Sequence, residues 1–321
     1  MPAQPTSSPP PPIALGSGSV ALLAVRRNNA GFRILIFPPQ SDKAARDFSV
    51  PIRPNALAFS KRNRVFYGFN GGHNEYFVRE LNVESGKPVR SIDLRPSWDF
   101  SSVATDDHNV LYVNTKSFIG GDVKLFRPGD LTPDKEIKDP LIPLKIAIAG
   151  NSLWVGFQGA LSDGMARYDL GSTKQTWFRN TGNNLPVQFA VNSDGSLVAV
   201  RVRRNNNGAV IVYDTRQHKS TQIHEGDTRS IASDASGNLY IAQKSGRILT
   251  CAFSGCPHSF ETNLDVEGMI LNPADGMLYI PALSGNGKPP GVYVYNPRTS
   301  SQVRFLPVEG NENPALIAIE P

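Results

Sequence analysis

One phrase recurs seven times along the chain, and its spacing limits the available folds more than any other feature. The phrase is a short apolar strand, a polar turn, then a strand that begins with an aliphatic residue and is rich in aromatics. Six copies read ALAFSKRNRVFYGF, SVATDDHNVLYVN, IAIAGNSLWVGF, FAVNSDGSLVAV, SIASDASGNLYIA and MILNPADGMLYIP, and GSVALLAV supplies a seventh. The first aliphatic residues of the second strands are Val20, Val65, Leu111, Leu153, Leu197, Leu239 and Leu278, so successive copies lie 45, 46, 42, 44, 42 and 39 residues apart. Repeats of ~40–50 residues with four short strands each are the period of a propeller blade.

A third strand follows in every unit, reading FRILIF, EYFVREL, DVKLFRP, MARYDLG, AVIVYDT, RILTCAF and VYVYNPR. Glycine precedes it in six of the seven, at Gly31, Gly121, Gly164, Gly208, Gly246 and Gly291. A sharp turn into a strand calls for positive φ, so that conformation is expected at these six. A fourth, more polar strand closes each unit, as in VRSIDL, QTWFRN and SQVRFLP, and belongs at an outer edge. No helical periodicity persists for three turns. The apolar runs span four to eight residues and are bounded by Gly, Pro, Asn and Asp, which are strand signals. The expected fold is all-β: a seven-bladed β-propeller with four antiparallel strands per blade.

The first repeat begins at its second strand, whereas NPALIAIEP has first-strand character with no second strand after it. Residues 315–319 should therefore pair beside residues 20–26, complete blade one and close the ring, which removes open sheet edges. Residues 1–12 (MPAQPTSSPPPP) are proline-rich and hold no apolar run, so they read as an extended leader ahead of a single domain over 13–321.

Charge and composition exclude several classes. Of the 321 residues, 33 are Lys or Arg and 28 Asp or Glu, a formal charge of +5 with both signs scattered. No basic stripe or aromatic-interleaved basic motif stands out, so nucleic acid is not an expected partner. No apolar run approaches the ~20 residues of a transmembrane helix. The leader lacks the basic start and apolar stretch of a signal peptide. It has the character of a segment left after removal of a signal or lipid-anchor sequence, which implies a secreted or periplasmic protein, expected to be a monomer. Cys251 and Cys256, in TCAFSGCPH, flank a short turn where either a disulfide or two free thiols fit. With only His258 nearby they fall short of a four-ligand metal set.

The phrases NSDGSLVAV, DASGNLYIA and NPADGMLYI resemble propeller repeats of the NHL and YVTN type. They also resemble the wider superfamily of gluconolactonases, strictosidine-synthase-like proteins and virginiamycin B lyase. The resemblance covers nearly the whole chain after the leader and rests on turn and core residues. For the lyase-like members it implies a His and carboxylate cluster around a divalent ion just beyond second strands, where this chain has YIAQKSG and YIPALSG, without His or Glu. For the lactonase-like members it implies a Glu, Asn and Asp set on a metal such as Ca²⁺ or Mg²⁺, to which Glu267 and Asn55 are the available contributors.

In a propeller, the second-to-third strand loops and the blade-to-blade loops share one rim of the central channel, where small ligands bind. The expected ligand-binding residues there are Arg53, Asn55, Lys145, Gln188, Arg229 and Glu267, most of them at first-strand entries. Cations and amides dominate, which suits an anionic or hydroxyl-rich ligand. His73 and Glu75, two apart on an extended loop, form the expected acid/base pair of an enzymatic alternative, a lyase or lactonase. His224-Glu225 lies near the same rim, while His108 belongs to the opposite face. Arg26-Arg27 and Arg201-Val202-Arg203-Arg204 lead into Asn-rich loops and could grip phosphates, sulfates or uronates. The leading expectation is a propeller that binds a small anionic molecule, a glycan or a partner protein at its loop rim.

Overall fold

A computed structural model describes residues 15–26, 31–71, 75–97, 99, 101–117, 120–139, 141–192, 194–204, 207–309 and 311–320. The leader over 1–12 lies outside them. Among the described residues there are 29 strands, β1–β29 in chain order, and no helix. They form seven blades of four antiparallel strands. Blade one consists of β29 (Glu312–Ile319), β1 (Val20–Arg26), β2 (Phe32–Phe37) and β3 (Arg46–Val50), in that order from the channel outward. The ring is thus closed as expected. The closing strand starts earlier than residue 315, and its register runs from Arg26 opposite Glu312 to Val20 opposite Ile319.

The other innermost strands are β4 (Ala56–Ser60), β8 (Val103–Thr105), β12 (Ile142–Ala149), β16 (Leu185–Val191) and β20 (Ser230–Ser233). In blade seven the innermost strand is split into β24 (Asp265–Val266) and β25 (Ile270–Leu271), both paired with β26 (Leu278–Leu283). Pro281 explains the break. It has no N–H to donate inward, so only its carbonyl is used, accepting from the Glu267 N–H at 2.9 Å, and the chain leaves the ladder there.

The core is distributed between the blades. Seven clusters of buried apolar residues each join one blade to the next. β1 shows the sequence consequence. Ala21, Leu23 and Val25 pack with Phe59, Tyr67 and Phe69 of blade two, while Val20, Leu22 and Ala24 pack with Tyr279, Val292 and Leu306 of blade seven. A strand buried on both faces needs an unbroken apolar run, here VALLAV, where a half-exposed strand would alternate.

Two expectations need correction. Of the six glycines before third strands, Gly246 alone has positive φ, at 96°. At Gly121 and Gly291 the reason is close approach. A Cβ on Gly121 would lie 2.3 Å from Pro143 Cδ and 2.4 Å from the Thr115 carbonyl oxygen, and one on Gly291 2.5 Å from the Phe305 ring. The repeat is also one residue out of phase in blade five. Val65, Leu111, Leu153, Leu239 and Leu278 are fully buried, but Leu197 is only half-buried, and Val198 takes the equivalent place opposite Tyr213. Cys251 and Cys256 are joined by a disulfide across the hairpin of β22 (Arg247–Ala252) and β23 (Gly255–Glu261).

Candidate functional site: a cationic channel

Three innermost strands enter the channel through the same irregularity. In β12, β16 and β29 a proline is followed by a residue skipped in the pairing register: Leu144 after Pro143, Val187 after Pro186 and Ala315 after Pro314. A bulge bends the strand and re-aims the next side chain, and proline is tolerated there because the ladder is already interrupted. The residues set at the channel wall by this device are Lys145, Gln188 and Leu316.

These positions open into a cavity of about 530 Å³ along the channel axis, walled by the innermost strands of blades four to seven and of blade one. Its charged side chains are Lys145, Arg201, Arg229 and Glu267. Met269, Ile270, Leu316 and Ile317 give the remaining wall an apolar character. Arg229 Nη2 donates to both oxygens of Glu267, at 2.9 and 3.0 Å. Arg201 Nε donates to the Thr228 carbonyl at 2.8 Å, which directs the rest of its guanidinium along the wall. Gln188 clamps blade five to blade six. Its Nε2 donates to Ser230 Oγ and the Ile231 carbonyl, and its Oε1 accepts from Ser230 Oγ and the Ile231 N–H.

Lys145 is different. Its backbone is part of the β12–β13 ladder, but its ammonium makes no hydrogen bond or ion pair with any described residue. Burial, reinforced by the nearby Arg201 guanidinium, holds its ammonium below the ordinary lysine range. Arg201 is lowered in the same way, by burial first and then by Arg229 and Arg203, against a smaller opposing effect of Asp227. Three cations thus face one carboxylate across the cavity, and that carboxylate is committed to one of them.

Of the six expected ligand-binding residues, Lys145, Gln188, Arg229 and Glu267 share this cavity. Arg53 and Asn55 are exposed at the entry to blade two and do not line it. His73 lies outside the described residues, and Glu75 opens the third strand of blade two opposite Gly71. His224 has its ring Nε2 3.4 Å from Gln243 Nε2, and burial, with Arg247, lowers its pKa. His108 sits in a first-to-second strand turn beside a separate cavity of about 310 Å³. Arg201, singled out in the sequence only as part of an arginine-rich run before an Asn-rich loop, also lines the cavity; it belongs to β17 (Leu197–Arg204) and is paired with Gln188. The proline two residues before Lys145 and before Gln188 is the signal that marks the channel wall. Among the described residues no group of three or more His, Cys, Asp or Glu side chains converges as a metal site, and no helix is long and apolar enough to cross a membrane.

No protein-family model matches the chain, and no curated protein matches it in sequence. Solved structures do. Hydrazine synthase of Kuenenia stuttgartiensis is similar at a TM-score of 0.66 with 14% identity, over 85% of this chain and 94% of that one. The Dos1 propeller aligns at 0.61 with 13% identity, over 92% and 85%. The Cps50 (Swd1) β-propeller domain of Myceliophteria thermophila aligns at 0.57 with 10% identity, over 84% and 95%. At such identities the likeness shows the propeller fold and carries no activity.

Proposed function

We propose that this chain is a binding propeller that holds a small anionic ligand in its central channel. The observation that carries the reading is Lys145, a cation with no partner among the described residues, set in a cavity beside Arg201 and Arg229. Taking a charge out of water without pairing it is unfavourable, and a bound anion would relieve that penalty for all three cations at once. The apolar wall of Met269, Ile270, Leu316 and Ile317 suits a ligand whose anionic head is joined to a hydrocarbon or ring body. Kinship with the NHL and YVTN-type propellers is part of the proposal, supported by the strand-turn phrases NSDGSLVAV, DASGNLYIA and NPADGMLYI. So is work outside the cytoplasm, which the Cys251–Cys256 disulfide favours, since such bonds persist in oxidising compartments.

The test is calorimetric titration of the full chain with hexanoate and with inorganic phosphate at low ionic strength. Arg229→Ala should weaken binding about tenfold or more, since a hydrogen bond to a charged group contributes about 1.5–3 kcal/mol. Arg298→Ala, at an exposed turn outside the channel, should leave it unchanged. Equal losses from the two, or no binding of either anion, would sink the reading.

A further inference from the structure

Beyond the channel, β17 carries a second positive feature that the proposed function does not use. Val198, Val200 and Val202 pack toward blade four, whereas Ala199 packs toward blade six. Alternation along the strand therefore turns Arg201 and Arg203 to the blade-six side, with Cα atoms about 7 Å apart. There they help wall a smaller cavity of about 230 Å³ on the shoulder between blades five and six, together with Asp227, Thr228 and Arg229. Arg201 and Arg229 line both this cavity and the channel, so the two spaces adjoin across them. Thr228 is buried, and its hydroxyl reaches no partner among the described residues. The acidic groups acting here are Asp227, close enough to bear on Arg201, and Asp163 of blade four, close enough to feel Arg203. Among the described residues neither forms an ion pair with these arginines, and Arg203 is exposed.

We infer that the shoulder cavity is a second anion subsite, so that the ligand is a dianion with its two charged groups on a short spacer. The first group lies in the channel with Lys145, Arg201 and Arg229. The second lies on the shoulder against Arg203, with the Arg201–Arg229 partition between them. Guanidinium groups suit this role because their fork of donors matches carboxylate and phosphate oxygens in pairs. This inference rests on the channel reading.

The experiment titrates the full chain with monocarboxylates from butyrate to octanoate and with the dicarboxylates succinate to suberate, and compares phosphate with pyrophosphate. One two-headed anion should bind about tenfold tighter than its one-headed counterpart, a dicarboxylate against the monocarboxylate of equal chain length or pyrophosphate against phosphate, the gain from one added charge-assisted contact. Whether it is a dicarboxylate or pyrophosphate separates carboxylate from phosphoryl chemistry. Arg203→Gln should erase that advantage and leave the monoanion affinity within about twofold. Monoanion binding without any dianion advantage overturns the second subsite alone, as does an equal loss for both ligand types in Arg203→Gln. Absence of monoanion binding overturns the channel reading and this inference with it.

Discussion

Glu267→Gln should tighten anion binding, which is the reverse of what removing a ligand-pocket residue usually does. Both Glu267 oxygens accept from one Arg229 nitrogen, and the two side chains are 27% and 37% exposed. A fully exposed ion pair contributes about 0–1 kcal/mol and a hydrogen bond to a desolvated charge about 1.5–3 kcal/mol. A half-exposed, doubly bonded pair falls between, at about 1–2 kcal/mol. Neutralising the carboxylate returns that interaction to an incoming anion and removes a like charge from the cavity, so the dissociation constant should fall about 5- to 30-fold. Arg229→Ala has the opposite sign, because it removes a cation and frees Glu267 to repel the ligand. The double variant should return to within a few-fold of the parent protein, since the two changes cancel in charge. Calorimetric titration with hexanoate or phosphate at low salt reads all three, and the gain from Glu267→Gln should shrink as salt is added. If the two single variants shift affinity in the same direction, the pair is structural and the channel does not select by charge.

The same structure sets four further outcomes. Because burial and Arg201 depress the Lys145 pKa, anion affinity should fall as pH rises through that lowered value, and Lys145→Arg should flatten the profile, as arginine stays charged. The free protein should gain stability over the window between the lowered folded value and the ordinary ~10.4, where the unfolded chain binds more protons; a denaturation midpoint that falls with pH there would contradict the assignment. Asn114 is fully buried, accepting from the Ser101 and Ser102 N–H groups and donating to Ser101 Oγ and the Pro143 carbonyl. Asn114→Ala should cost about 3–5 kcal/mol in urea unfolding, as buried groups on blades three and four lose their partners, and a loss under about 1 kcal/mol would refute that account. Deleting residues 312–321 removes β29 and should abolish cooperative thermal unfolding, so a truncated chain that melts like the intact one would show that ring closure does not hold blade one together.

The architecture was legible because each blade repeats one phrase whose apolar run must be buried on two faces. VALLAV, SLWVGF and GMLYI can be placed only inside a stack of sheets. Phase was harder where the phrase is degenerate. In SLVAV both Leu197 and Val198 are aliphatic, and only the pairing of Val198 with Tyr213 decides between them. The channel entry positions were legible from their place in the repeat, which brings Lys145, Gln188, Arg229 and Glu267 together. Their partners were not, because a partner is chosen by the neighbouring blade. Nothing in the sequence says that Gln188 spends its amide on Ser230 and Ile231, or that Glu267 takes both bonds from Arg229. Arg201 was legible as an anion-gripping candidate but not as a channel residue, for the same reason. Its direction depends on where β17 stops, and a strand running into RVRRNNNG reads locally as a loop.

The pairing of β29 with β1 also sets a timetable. Val20 and Ile319 are partners although about 300 residues separate them, so the inner edge of blade one stays unpaired until residues 312–319 have left the ribosome. Blades two to seven are built from neighbouring segments and can form in the order they emerge, while blade one must wait for its last strand. Contacts this far apart in sequence slow folding. During that wait β1, apolar on both faces, presents the open edge most prone to wrong pairing. The strand that completes the ring in space is also the one that ends the chain's exposure in time, and any factor that guards the nascent protein would find its longest-lived target at residues 20–26.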